Sequence, residues 1–135
     1  MLEAINIPAT NTSPKVIFDP LNNIFEISGD SRPENVQKFY EPLLTWLSSF
    51  TGEALEQMGR EGKYPPMQIK INLEYFNSSS AKYIMLLFQK FKILHKAHLD
   101  LKILWYYKEF DHDQKAAGAE FAKLFNLNIN FVQIK

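Results

Sequence analysis

Met67-Gln68-Ile69-Lys70-Ile71-Asn72-Leu73 alternates strictly between apolar and polar residues, and Ala81, Ile84, Leu87, Phe88, Phe91 and Leu94 follow it at helical intervals. Period 2 marks a strand with one buried face, and period 3.6 an amphipathic helix. Between the two lies Glu74-Tyr75-Phe76-Asn77-Ser78-Ser79-Ser80, rich in turn-forming and helix-capping residues. The unit reads as strand, turn, helix, and it decides the fold class.

The same alternation continues downstream. Leu101-Lys102-Ile103-Leu104-Trp105-Tyr106 reads as a strand, and Asp111 with Gln114 has capping-box spacing ahead of a stripe of Ala117, Phe121, Leu124 and Phe125. Asn128 to Ile134 reads as a last strand. In Trp105-Tyr106-Tyr107, neighbours along a strand point to opposite faces, so at least one of these rings belongs to the core.

Upstream, Val36, Phe39, Tyr40, Leu43, Leu44, Trp46, Leu47 and Phe50 recur at three- and four-residue steps. Ser31 and Glu34 have capping-box spacing before this stripe, with Pro33 in the expected first turn, so a helix is expected to start there. Pro42 is expected to bend or break it, and Glu53 to Tyr64 is charged and glycine-punctuated. The chain opens with three short segments, Leu2 to Ile7, Lys15 to Asp19 and Ile24 to Ser28, of which the last two form a hairpin around Asp19-Pro20-Leu21-Asn22-Asn23. Strands alternating with helices imply right-handed crossovers. The expected architecture is α/β: one domain over residues 1–135, three main helices, and a mixed, mainly parallel sheet with an antiparallel N-terminal hairpin.

Composition bounds the function. With 135 residues, 46% of them hydrophobic, the chain can bury a core without covalent staples. It has no cysteine, which excludes disulfides, thiolate metal sites and a cysteine nucleophile. The formal net charge is zero, so the positive potential that draws proteins to nucleic acid is missing, and neither DNA nor RNA is an expected partner. Met1 to Asn6 lacks a basic start and an apolar run, and no stretch approaches the length of a membrane span, so the expected location is the cytoplasm, with no membrane partner.

Catalytic signatures fail in turn. There is no nucleophile elbow, glycine-rich phosphate loop, dinucleotide fingerprint or zinc-protease helix. His95 and His98 have ligand-like spacing but read as a helix C-terminus, and Asp30, Glu34, Asp111 and Asp113 read as capping and first-turn acids rather than a metal site. No cofactor or metal is expected. There remains Asn77-Ser78-Ser79-Ser80: one serine suffices to cap the helix, which leaves at least one hydroxyl free. A phosphate on such a hydroxyl would lie beside the unpaired N–H groups and positive end of the helix, and would change what the surface can bind.

Ile27-Ser28-Gly29-Asp30-Ser31-Arg32-Pro33-Glu34-Asn35, with Phe39-Tyr40-Glu41-Pro42-Leu43 and Trp46 after it, resembles the SiaC family of bacterial regulatory phosphoproteins. Asn72 to Lys82 and Trp105-Tyr106-Tyr107 look like the same family's other signatures, in the right order, with a longer insert around Glu56 to Tyr64. The resemblance implies a fold similar to the STAS domains of anti-sigma-factor antagonists and a non-enzymatic role in partner switching. It also implies phosphorylation of the hydroxyl after the motif asparagine, here Ser78, by a dedicated Ser/Thr protein kinase, with removal by a PP2C-type phosphatase. Ser79 and Ser80 compete as acceptors. The unphosphorylated family protein binds a diguanylate cyclase and stimulates c-di-GMP synthesis.

Arg32, Glu34, Asn35, Asn77, Ser79 and Lys82 are the expected partner-contacting residues. For Arg32 the alternative is a buried ion pair with Asp30 or Glu34. Two other functions compete. An anti-sigma-factor antagonist would differ only in the partner captured, whereas a metal-dependent hydrolase built on Asp30, Asp111 and His112 would bind metal and lose activity on Asp111→Ala.

Overall fold

The structure, a computed structural model, describes residues 2–135. Its elements run β1 (Ile5–Ile7), β2 (Lys15–Asp19), β3 (Ile24–Ser31), α1 (Val36–Glu61), β4 (Met67–Phe76), α2 (Ser78–Lys96), β5 (Leu101–Lys108), α3 (His112–Phe125) and β6 (Ile129–Ile134). The six strands lie in sequence order across one sheet. The β1–β2 and β2–β3 pairs are antiparallel, and β3–β4, β4–β5 and β5–β6 are parallel. This is the mixed sheet with an antiparallel N-terminal part and three helices that the alternating pattern implies.

Register converts that alternation into a core. Val16, Ile27, Ile71 and Trp105 form one row across the sheet, and Phe18, Phe25, Ile69 and Ile103 the next. All eight are buried. The helices cover this one face: Trp46 of α1 lies 5.3 Å from Phe18, Phe88 of α2 lies 6.2 Å from Trp105, and Phe121 of α3 lies 5.8 Å from the same ring. Successive right-handed crossovers in one direction put every helix on the same side. The opposite face carries the intervening row Ile17, Glu26, Lys70 and Leu104 and has no covering element among the described residues.

The structure revises three local expectations. Ser31 is not a helix cap: β3 continues through it, it is fully buried, and Asn35 caps α1 instead, accepting the Lys38 N–H at 3.0 Å. Pro42 does not end the helix, which runs unbroken from Val36 to Glu61. Proline costs about 3 kcal/mol in a helix interior, but Pro42 is exposed while Tyr40, Leu43, Trp46, Leu47 and Phe50 are buried around it, and that packing outweighs the lost bond. The turn expected from Glu74 is strand as far as Phe76.

This last change has a register cause. Leu73 pairs with Gly29 and Tyr75 with Asp30, so Glu74 is an extra residue in β4. Such a bulge breaks the alternation and re-aims the side chains beyond it. Gly29, at φ 112, takes a conformation closed to most side chains. Past the bulge, Phe76 turns toward the core, 6.4 Å from Trp105, and pairs with Ser31. The start of α2 is thereby pinned against the end of β3.

Candidate functional site

The junction of β3, β4 and α2 holds the sequence-nominated serines. The Asn77 N–H donates to the Ser31 carbonyl at 3.1 Å, and Asn77 Oδ1 accepts from the Ser80 N–H at 2.8 Å. Asn77 is therefore the N-cap, in the β conformation that cap residues adopt. The cap expected of a serine is supplied by the preceding Asn77, so no serine is spent on capping.

Ser80 has a different task. Its hydroxyl donates to the Ser31 carbonyl at 2.9 Å, and the Ser31 hydroxyl donates to Ser80 Oγ at 2.8 Å. Each hydroxyl has one proton, so the short bond between Ser31 Oγ and Tyr40 is donated by the Tyr40 hydroxyl. The chain Tyr40, Ser31, Ser80 and the Ser31 carbonyl ties α1, β3 and α2 together, with all three side chains fully buried. Burial pushes Tyr40 from an ordinary value of 10.0 up to about 12, against the opposing effect of the Ser31 and Ser80 hydroxyls beside it, so it stays a donor. Tyr83 of α2 stacks on Tyr40 at 5.6 Å.

Ser78 and Ser79 are exposed where Ser80 is buried. They are the first two residues of α2, whose leading N–H groups have no partner within the helix. Lys82 is exposed one turn beyond Ser78. The β3–α1 turn adjoins this site through the Ser31 carbonyl. There Glu34 and Asn35 are exposed, and Asn35 is engaged as the cap of α1. Arg32 is half exposed, with Nη2 4.0 Å from the Asp30 carboxylate and 3.4 Å from the Asn11 carbonyl. The ion pair weighed for it thus forms at the surface, with Asp30 and not with Glu34.

Two features escape the sequence reading. One is the buried hydroxyl chain, whose members are separated by up to 49 positions. The other is an open apolar groove between α2 and α3, lined by Phe76, Ala81, Met85, Ala117, Phe121 and Leu124, with Lys82, Glu120 and Lys123 at its edge. Leu124, read as part of the buried stripe, is 63% exposed here.

The alternative chemistry is not assembled. Asp111 is occupied as the cap of α3, accepting the Gln114 N–H at 3.0 Å, and among the described residues no group of three His, Cys, Asp or Glu side chains is arranged to hold a metal ion. No helix of the described residues is long and apolar enough to cross a membrane.

Comparison with known proteins agrees with this architecture. A protein of Pseudomonas aeruginosa (strain UCBPP-PA14) described as uncharacterized is 23% identical over 127 residues, covering 94% of this chain and 90% of its own. The structure of SiaC of Pseudomonas aeruginosa superposes with a TM-score of 0.77 at 21% identity, covering 98% of both chains. A chain in the crystal structure of the diguanylate cyclase SiaD in complex with its activator SiaC, from the same organism, gives 0.82 at 20% identity, covering 96% of this chain and 99% of the other. The family profile described as SiaC family regulatory phosphoprotein matches residues 7–134, so this chain belongs to that family.

Proposed function

We propose that this protein is a non-enzymatic partner-switching regulator of the cytoplasm that binds and stimulates a diguanylate cyclase while Ser78 is unmodified and releases it when Ser78 is phosphorylated. The observation that carries the reading is the split among the three serines of a chain belonging to a regulatory phosphoprotein family: Ser80 is locked in the buried hydroxyl chain, while Ser78 is exposed at the first position of α2.

A phosphate on Ser78 would carry close to two negative charges beside unpaired helix N–H groups, a favourable setting that leaves the fold intact. Its effect is outward. Ser78 adjoins the groove that begins at Ala81 and Lys82, and a strongly hydrated dianion there raises the cost of fitting any partner across the α2 start. In this reading Asn77, Ser79 and Lys82 on α2, and Arg32, Glu34 and Asn35 on the adjoining turn, form the contact surface. A Ser/Thr protein kinase and a PP2C-type phosphatase set the state of Ser78.

The reading is tested by titrating the unmodified protein, Ser78→Ala and Ser78→Asp against a purified diguanylate cyclase from the same organism, following c-di-GMP production. The unmodified protein and Ser78→Ala raise the rate, and Ser78→Asp loses at least tenfold in apparent affinity. Equal stimulation by all three contradicts it.

A further inference from the structure

Among the described residues, strand β6 ends the sheet, and its free edge lacks the usual protections. Isolated edges are normally shielded by proline, charge, a bulge or shortness, because their open N–H and C=O groups invite another strand. The opposite edge is shielded: β1 has three residues and Pro8 follows it directly. Strand β6 runs six residues, Ile129-Asn130-Phe131-Val132-Gln133-Ile134, with no charge, no proline and an unbroken register against β5.

The direction of its open groups follows from one bond. The Ile134 carbonyl accepts the Glu109 N–H at 2.7 Å, so Ile134 faces β5. In a parallel pair alternate residues bond to the same neighbour. Asn130 and Val132 therefore also face β5, and Ile129, Phe131 and Gln133 present both backbone groups to the outside.

We propose that this edge pairs with the same edge of a second copy, in antiparallel fashion about a two-fold axis through Phe131, to make a dimer with one continuous sheet. Phe131 lies opposite Phe131, and Ile129 opposite Gln133, so each pair joins outward-facing residues on the same side of the sheet. Those three residues of each copy saturate one another with about six N–H···O=C bonds, the alternation of an antiparallel ladder. Phe131, 37% exposed in the single chain, gains a cross-strand aromatic partner on the helix side. Strand β6 itself carries no charge, so its paired residues bring no like charges together, and a self-complementary patch closes as a two-fold pair. Because β1 is too short and too shielded to offer a second edge, the assembly stops at two.

Light scattering coupled to size exclusion tests this on the full chain. The expected mass is twice the 15.7 kDa of one chain. Phe131→Pro removes an N–H that serves no bond within the chain, a position where an edge strand tolerates proline, so it yields a 15.7 kDa species with unchanged far-UV circular dichroism. Because the native sequence has no cysteine, Phe131→Cys gives an independent reading. Hydrogen-bonded antiparallel partners sit about 5.5 Å apart at Cα, within disulfide reach. That variant forms a covalent dimer on mild oxidation, while Lys102→Cys on the open sheet face does not. A monomeric wild type at every concentration, a folded Phe131→Pro variant that stays dimeric, a Phe131→Cys variant that does not cross-link, or a mass growing beyond two chains would each overturn the proposal.

Discussion

Helices α2 and α3 both begin where a parallel strand ends, and each is capped by a side chain that accepts the N–H three residues on: Asn77 from Ser80 at 2.8 Å, Asp111 from Gln114 at 3.0 Å. The first turns differ. Helix α3 has Asp113 in its first turn, so its positive end already faces a carboxylate, whereas the first turn of α2 has no acidic residue and offers two exposed hydroxyls. The anchors differ too. The Trp105 ring donates to the Gln114 carbonyl at 2.9 Å beneath α3, and the chain of Tyr40, Ser31 and Ser80 holds α2. The same capping chemistry thus serves one helix that is electrostatically complete and one whose N-terminus is rigidly held yet open to an added anion.

The contrast breaks most visibly at α3. A Cβ on Gly118 would sit 2.7 Å from the Trp105 ring, so Gly118→Val should cost about 3 kcal/mol in urea unfolding, near the upper end for overpacking. A stability unchanged from wild type would show that α3 is not seated on that ring.

The anchor of α2 is tested next. Ser80→Ala should cost about 1–2 kcal/mol, the usual range when a buried hydroxyl loses its partner. Tyr40 adds a pH signature. Its hydroxyl titrates near 10 when unfolded and at about 12 when folded, so the unfolded chain loses its proton first as pH rises. The stabilisation is fully present below about pH 10 and is lost through about pH 12, a change on the order of 2 kcal/mol. Urea midpoints at about pH 9 and about pH 11 should diverge more for wild type than for Tyr40→Phe. An equal drop in both would remove Tyr40 from the buried chain.

Cap deletions sharpen the likeness. Asn77→Ala and Asp111→Ala should each cost about 1 kcal/mol, the ordinary value of an N-cap. A markedly larger loss at Asn77 would mean that its N–H bond to Ser31 carries more than a cap does.

The smallest effect on stability separates the two helix starts functionally. Ser78→Asp should leave stability within about 0.5 kcal/mol of wild type, with a slight gain from the helix dipole. A clear loss of folded protein would mean that Ser78 holds the fold together, and any loss of binding would then have a structural origin.

Element types were legible because their signals are local. Strict alternation in Met67 to Leu73 and the helical spacing of Ile84, Leu87, Phe88, Phe91 and Leu94 survive in the structure as the buried faces of β4 and α2. Asp111 was legible as a helix start for the same reason, and Asn77-Ser78-Ser79-Ser80 as the start of α2, but with the cap assigned to a serine and not to Asn77. Ser31 misled because its capping-box spacing with Glu34 is a local pattern, while its actual state is set by pairing with Phe76, far along the chain. The Glu74 bulge likewise arises from register against Gly29, which no single segment encodes. The separation of Ser80 from Ser78 comes from these long-range pairings, so sequence could nominate the serine triplet and only the structure distinguishes its members.

The central claim, that Ser78 is the regulated hydroxyl and Ser80 a structural one, is tested most directly by mapping phosphate on the protein purified from its native cells across growth conditions. The account predicts a phosphopeptide modified at Ser78, removed by a PP2C-type phosphatase, with Ser80 unmodified throughout. Phosphate on Ser80, or a chain that remains unmodified in every condition, would contradict it.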